Sequence, residues 1–297
     1  MTSSLLAMDS LRALVWSLIP AVLEAGAVEM AFYRSGVAVQ AKADNSPVTL
    51  ADQAAEKVLL EALARVAPGI AVVAEEAVSE GKVPKIGEEF FLVDPLDGTR
   101  EFINNRDEFT VNVALIQRGV PVMGIVYAPA IDDFYATLGP DEAVRARFRP
   151  DAKPVDLAAC GFERITTRVG DIARLTAVGS RSHMTKETED FLARSATAER
   201  RDSGSSLKFC AIARGEADIY PRLAHHGMGY GCRLRRPAGC RGHSHGSRWH
   251  AFSLRQGGRR VPQRPFRRLG FAQTTLGEGH TRPCKASVLM RGKLAQS

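Results

Sequence analysis

The segment FFLVDPLDGT constrains the fold more than any other part of the sequence. Its apolar half predicts a buried strand, which runs directly into two acids, a proline and a glycine. Asp94, the carbonyl of Leu96 and Asp97 place three hard oxygen ligands within one turn. The N–H groups of Gly98 and Thr99 follow at the predicted start of a helix, where a phosphate can bind. The segment therefore predicts a combined cation and phosphate site at the end of a strand.

Two further groups of acids lie at the ends of predicted elements. Glu75 and Glu76 follow the short strand IAVVA, and Asp52 lies in the first turn of a helix predicted from Ala51 to Val66. Side chains at strand ends can converge at one edge of a sheet, and carboxylates gathered there repel one another unless a cation neutralises them. Oxygen ligands without a nearby His or Cys favour Mg²⁺ over zinc. The alternative interpretation of Asp52 or Glu76, each taken alone, is that it is an ordinary solvated turn residue.

Helical and strand patterns alternate along the first three quarters of the chain. Helices are predicted over the apolar N-terminal segment, after SPVTL, over TKETEDFLARS and over SGSSLKFCAIARGE. Strands are predicted over FTVNVALIQ and VPVMGIVYA, joined at Arg118 and Gly119, and over DDFYATLG, LTAVG and ADIYPR. Mixed elements with antiparallel hairpins predict an α/β fold built of layered sandwiches rather than a purely parallel wound sheet.

The motifs VDPLDGTREF, the preceding AEE and the earlier SPVTLAD resemble the inositol monophosphatase superfamily of Mg²⁺-dependent phosphatases. REF, FTVNVALI, GSRSH and GSSLKF are more similar to its CysQ-type 3′(2′),5′-bisphosphate nucleotidases than to its inositol enzymes, which remain the alternative. The resemblance implies an αβαβα sandwich of the inositol monophosphatase/fructose bisphosphatase type. It divides the chain into an N-terminal half at residues 1–150, a partial C-terminal half at 151–223 and a tail at 224–297. The implied reaction removes the 3′-phosphate of 3′-phosphoadenosine 5′-phosphate to give AMP.

The same resemblance assigns roles to individual residues. Orientation and deprotonation of the attacking water are implied for Asp52 and Thr99. The Mg²⁺ ligands are implied to be Glu75, Asp94, the carbonyl of Leu96, and Asp97. Substrate contacts are implied for Glu75, Gly98, Thr99, Gly179, Ser180, Arg181, Ser182 and Lys208. Ordinary loop and helix roles remain the alternative for the last five of these.

Charge is distributed unevenly along the 297 residues. The formal net charge is +7 for the whole chain, but residues 225–297 hold 15 Lys and Arg against one acid, Glu278. Residues 1–224 therefore carry a net charge of −7. The first three quarters have the composition of an acidic globular protein with few cysteines, and the basic character belongs to the tail.

The N-terminal segment from Leu5 to Tyr33 is apolar but interrupted by charged residues, unlike a membrane span or a signal peptide. Its apolar residues recur at helical spacing, which predicts an amphipathic packing helix rather than an integral membrane segment. Cys160 and Cys210 alone lie in the patterned region, which gives no disulfide framework. We expect a cytoplasmic protein, with the inner face of the cell membrane as a second, peripheral location. The expected partner is a small phosphorylated nucleotide and no specific nucleic acid; the oligomeric state is left undetermined.

Three interpretations compete for the tail, residues 224–297. Its Arg density is typical of a basic nucleic-acid-binding arm on a non-catalytic, phosphatase-like scaffold. Alternatively, a metal site could be formed by Cys232, Cys240, His243 and His245, although their spacing matches no zinc pattern. The third interpretation is that the codons after about Leu223 are read one base out of frame.

The out-of-frame interpretation starts from the segment close to GPTMEWDTAAG with which, by resemblance, the chain should continue after YPR. Met228 requires the codon ATG and the codon of Gly229 begins with G, so the shifted codon is TGG, which encodes Trp. Codons for residues 225–233 permit TMEWDTAA in that frame, and later stretches permit GTPFRYGKA and EFRNGPFVAW. The missing Trp-Asp carries a further metal-binding aspartate in the family. This interpretation predicts a disordered tail, an incomplete C-terminal layer and an impaired enzyme.

Overall fold

The computed structural model describes residues 8–35, 39–41, 47–139, 142–152, 161–171, 173–181, 184–195 and 197–221. The predictions for Ser182, for residues 224–297 and for an incomplete C-terminal layer lie outside these residues. The helices are α1 (Met8–Ser35), α2 (Leu50–Val66), α3 (Glu75–Ser79), α4 (Thr99–Ile103), α5 (Lys186–Arg194) and α6 (Leu207–Ala213). The strands are β1 (Val39–Ala41), β2 (Pro47–Thr49), β3 (Ala71–Ala74), β4 (Glu89–Asp97), β5 (Thr110–Gln117), β6 (Val120–Ala128), β7 (Asp133–Gly139), β8 (Glu142–Arg147), β9 (Glu163–Ile165), β10 (Leu175–Ser180) and β11 (Thr197–Ser203).

Strands β3 to β9 form a seven-stranded sheet in which they lie in chain order. The β3–β4 pair is parallel and the other neighbouring pairs are antiparallel. Arg118 and Gly119 join β5 to β6 with φ values of 50° and 74°, the two positive angles that a tight hairpin turn requires. The sequence prediction of a hairpin at these two residues is confirmed.

Helices α1 and α2 cover one face of this sheet. Val15, Leu18, Ile19 and Val22 recur at helical spacing on α1, and all four are buried against the sheet in the largest hydrophobic cluster. Within the described ranges, Ser10–Arg34 is the one segment long and apolar enough to cross a membrane by length and composition. Because its apolar face packs on the strands, α1 acts here as the packing helix that the sequence predicts.

Helix α6 covers the opposite face, where Cys210 and Ala213 pack on Leu92 and Ala114 of the sheet. Beyond α6, β10 and β11 form a small parallel sheet. Helix α5 covers that sheet through Phe191 and Leu192. The layers thus follow the order helix, sheet, helix, sheet, helix, and the predicted αβαβα sandwich is confirmed for the described residues.

One predicted strand, ADIYPR, is wrong as a strand. Its described residues hold only isolated bridge positions, at Ile219 and Pro221, and Ile219 pairs with Ala177 of β10. The neighbouring Asp218 accepts a hydrogen bond from the N–H of Thr176 at 2.7 Å, and its two oxygens accept bonds from Nε and Nη2 of Arg168, each at 2.7 Å. A side-chain carboxylate therefore takes a position that a backbone carbonyl would hold in a regular ladder.

Candidate active site

The DPLDGT segment leaves its sheet through an irregularity at the end of β4. Asp94 pairs with Asn112 and Asp97 with Thr110, and the register shifts between the two pairs. Leu96 lies in the displaced stretch, and its side chain is buried in a cluster with Phe102 and Phe109. Packing of this side chain holds the turn, and the hydroxyl of Thr99 donates a 3.3 Å hydrogen bond to the Leu96 carbonyl.

Adjacent ends of β3 and β4 bring Glu75 and Asp94 together. The strands are parallel with Ala74 opposite Val93, so Glu75 and Asp94 are the next residues at the same edge. The two carboxyl groups are hydrogen-bonded to each other. Desolvation raises the pKa of Asp94 well above its ordinary value, and the charges of Glu75, Asp97 and Asp52 raise it further. Asp94 therefore lies within electrostatic reach of the other three predicted site acids.

The donor groups of this cluster can be compared with those that a divalent cation prefers. Among the described residues, no three His, Cys, Asp or Glu side chains stand as a finished metal site. The charges of Glu75, Asp97 and Asp52 raise the pKa of Asp94, and a bound divalent cation would relieve this repulsion. All the donors are oxygens, as Mg²⁺ prefers, and Glu75 is exposed at the surface. The residues present therefore fit a hard cation.

Gly98 has a structural role at the predicted phosphate-binding turn. It caps α4 with a φ of 99°, which L side chains rarely adopt. A Cβ there would lie 3.0 Å from the carbonyl oxygen of Glu108 and 3.1 Å from Cβ of Ser205. Glycine at this position therefore lets the loop before α6 approach the turn closely.

The predicted substrate residues of the second half gather around that same loop. Gly179 and Ser180 pair with Asp202 and Ser203 of β11. Buried Lys208 donates through Nζ to the carbonyls of Ser203, at 3.4 Å, and Ser205. These contacts place Ser180 and Lys208 beside the loop without assigning them a ligand.

Arg181 is held by protein groups. Its guanidinium donates two hydrogen bonds to the Glu108 carboxylate, at 3.0 and 3.1 Å, and one to the carbonyl of Asp202 at 2.9 Å. Glu108 Oε2 also accepts the N–H of Gly204 at 3.1 Å. Glu108, which sequence reasoning missed, therefore ties Arg181 to the loop before α6.

Two more polar side chains, which sequence reasoning missed, contact a site acid or the residues next to one. Glu56 accepts the N–H groups of Glu76 at 2.9 Å and Ala77 at 3.2 Å, and so caps the first turn of α3. Its position four residues after Asp52, on the same face of α2, was an available signal. Ser206 donates a 2.9 Å hydrogen bond to Asp97, and no local pattern in the sequence points to this contact.

Comparison with known proteins identifies the family. Residues 13–229 match the Inositol monophosphatase family. The 3′(2′),5′-bisphosphate nucleotidase CysQ of Shigella flexneri is 40% identical over 185 residues, which are 62% of this chain and 70% of that protein. The CysQ of Salmonella typhimurium is 40% identical over 182 residues, 61% of this chain and 68% of that protein.

Solved structures give the same answer. The crystal structure of CysQ from Bacteroides thetaiotaomicron superposes with a TM-score of 0.56 at 34% identity, over 70% of this chain and 79% of that one. An IMPase of Thermotoga maritima, at 20% identity, shares the fold with a TM-score of 0.54 over 69% of this chain and 74% of that one. The chain is thus a phosphatase that belongs to the inositol monophosphatase family.

Proposed function

We propose that this protein is a 3′(2′),5′-bisphosphate nucleotidase that hydrolyses the 3′-phosphate of 3′-phosphoadenosine 5′-phosphate to give AMP. The observation that carries the reaction class is the group of four interacting carboxyls, Asp52, Glu75, Asp94 and Asp97, beside the Gly98 turn. The choice of substrate is supported by the relatives named as bisphosphate nucleotidases at 40% identity.

The proposed cofactor is Mg²⁺, held by Glu75, Asp94, the carbonyl of Leu96, and Asp97. When bound, the ion supplies positive charge that makes water a stronger acid and stabilises the phosphoryl oxygens. The Leu96 carbonyl is a suitable ligand because its oxygen is weakly engaged. Among the described side chains, the hydroxyl of Thr99 alone donates to it, and that bond is long at 3.3 Å.

The chain's own residues would carry the proton and orient the phosphate. Buried Asp52, in the first turn of α2, would accept the proton of the attacking water, which the hydroxyl of Thr99 would orient. The N–H groups of Gly98 and Thr99 would bind phosphate oxygens at the start of α4. Ser180, Ser182, Arg181 and Lys208, with Gly179, are proposed on the nucleotide side of the site.

We further propose that residues 224–297 are out of frame and that the chain as written is impaired. The family match supports this proposal, because it ends at residue 229, close to the inferred slip. A cytoplasmic location also remains a proposal. A peripheral membrane location is not supported, since the apolar face of α1 is buried against the sheet.

The proposed function is tested by Mg²⁺-dependent phosphate release from 3′-phosphoadenosine 5′-phosphate and from inositol monophosphate. We expect a frame-restored chain to prefer the nucleotide, and Asp94→Asn to lower kcat/KM about 100-fold, because the acid cluster then holds the ion less tightly. Asp171→Asn is the matched control, since Asp171 is exposed and caps only a local turn at the N–H of Ala173. Faster hydrolysis of inositol monophosphate would overturn the substrate assignment, and equal activity of the two variants would overturn the site.

A further inference from the structure

The buried hydroxyl of Ser206 lies between a strand residue and an acid of the candidate site. Its Oγ lies 2.9 Å from Oδ2 of Asp97 and 3.2 Å from Nδ2 of Asn112. The Ser206 hydroxyl has a single proton, and it donates that proton to Asp97. Asn112 must then donate to Ser206, and the direction of the Asn112–Ser206–Asp97 chain is fixed.

This chain of bonds controls the orientation of a carboxyl group. Asp97 stands where the β4–β5 ladder resumes after its register shift, and the carboxyl group can rotate about its last torsion. A hydrogen bond to one oxygen restricts that rotation and sets the direction of both oxygens. A carboxylate that is already oriented loses no further rotational freedom when it binds an ion.

Other contacts hold Ser206 itself in place. Ser205, the preceding residue, exchanges a 3.1 Å hydrogen bond with Thr110, and Lys208 binds the carbonyl of Ser205. Gly204 is so close to Glu101 and Glu108 that a Cβ would contact both within 3 Å. The loop before α6 is therefore packed against the start of β5, where a small displacement of the hydroxyl is resisted.

We propose that Ser206 is a positioning residue for the cation site: its hydroxyl holds Asp97 in the orientation that binds the divalent ion. The affinity of acids from the N-terminal half for the ion thus depends on a loop from the C-terminal half. The inference rests on the proposed function in one respect, because it takes Asp97 as a cation ligand.

The test is a titration of the full-length protein with Mn²⁺, an ion that accepts the same oxygen ligands as Mg²⁺, followed through the electron spin resonance signal of free Mn²⁺. We expect Ser206→Ala to raise the Kd for Mn²⁺ about 10-fold, as loss of a hydrogen bond to a ligand does in other metal sites. Ser205→Ala is the matched control, because it loses the bond to Thr110 and leaves the bond to Asp97. Ser206→Thr keeps a hydroxyl and should recover most of the affinity.

Urea unfolding without metal separates positioning from general damage. We expect Ser206→Ala and Ser205→Ala to have similar unfolding midpoints but different Mn²⁺ affinities. An unchanged Kd for Ser206→Ala, or an equal weakening by Ser205→Ala, would overturn the inference. Asp94→Asn distinguishes the two proposals: if it leaves Mn²⁺ binding intact, the acid cluster is not the ion site and both fail. If it abolishes binding while Ser206→Ala has no effect, the role of Ser206 alone fails.

Discussion

Replacement of Glu29 by Met is expected to stabilise the protein, and to do so more strongly as the pH rises. Glu29 lies on α1 and has no exposed surface. Neither of its carboxyl oxygens has a hydrogen-bond partner within the described part of the chain. Burial therefore raises the pKa of Glu29 well above its ordinary value. Met fills a similar volume with a flexible apolar chain and removes the unpaired polar group.

The magnitude has a constant part and a pH-dependent part. Burial of the neutral carboxyl without partners costs about 1–3 kcal/mol, which Met does not incur. Between the unfolded pKa of about 4.3 and the higher folded pKa, the native state binds more protons than the unfolded state. The free energy of unfolding of the unsubstituted protein therefore falls as the pH rises through this window, by up to about 1.4 kcal/mol per pH unit.

Urea unfolding of both proteins from pH 4 to pH 8 measures this effect. The difference between the two stability curves cancels the titration of groups that both proteins share. Glu24→Met is the matched control, because Glu24 lies on the same helix but is exposed, and it should change stability by less than about 0.5 kcal/mol. A stability difference for Glu29→Met that is constant across the pH range would refute the reasoning, as would a destabilised variant at neutral pH.

Three further outcomes are expected. Glu56→Gln should lower the free energy of unfolding by about 1–2 kcal/mol, since an amide offers one acceptor oxygen to the two N–H groups of α3. The control Glu61→Gln, at an exposed position, should change little in the same urea titration. Gly98→Ala should cost at least about 1 kcal/mol, because its φ of 99° and the 3.0 Å approach both oppose a Cβ, and an unchanged melting temperature would contradict this. A single-base correction near codon 224 should raise Mg²⁺-dependent phosphate release and sharpen thermal unfolding; equal behaviour of the two chains would make the tail a true structural element.

The site acids were predictable because they sit next to strongly patterned elements. Apolar runs mark β3 and β4, and parallel pairing of these neighbours necessarily puts Glu75 and Asp94 at one edge. The contact of Ser206 with Asp97 was not predictable, because 109 residues separate the two and their approach depends on how the layers stack. The pairing of Glu108 with Arg181 was not predictable for the same reason, because 73 residues separate them.

Charged strands were also missed. The segments EAVRAR and TAERRDS form β8 and β11, although neither has the apolar alternation of a strand. In β8 the charge is compensated by tertiary contact, since Arg145 binds the buried carboxylate of Asp133 across the strand pair at 2.7 Å. Ion pairing that forms only after the strands meet leaves no periodic signal in either segment.

The order of the strands in the large sheet also bears on how the protein is synthesised. Each strand from β4 to β9 pairs with the strand made just before it, so the sheet needs few contacts between distant parts of the chain. We expect this layer to assemble during translation, before the residues of α6 and the loop that precedes it leave the ribosome. Asp97 and its acidic neighbours would then be in place while Ser206 is still to be made. A reading-frame slip after residue 223 would act on a chain whose first layer has already folded, and the nascent protein would be damaged late rather than prevented from folding.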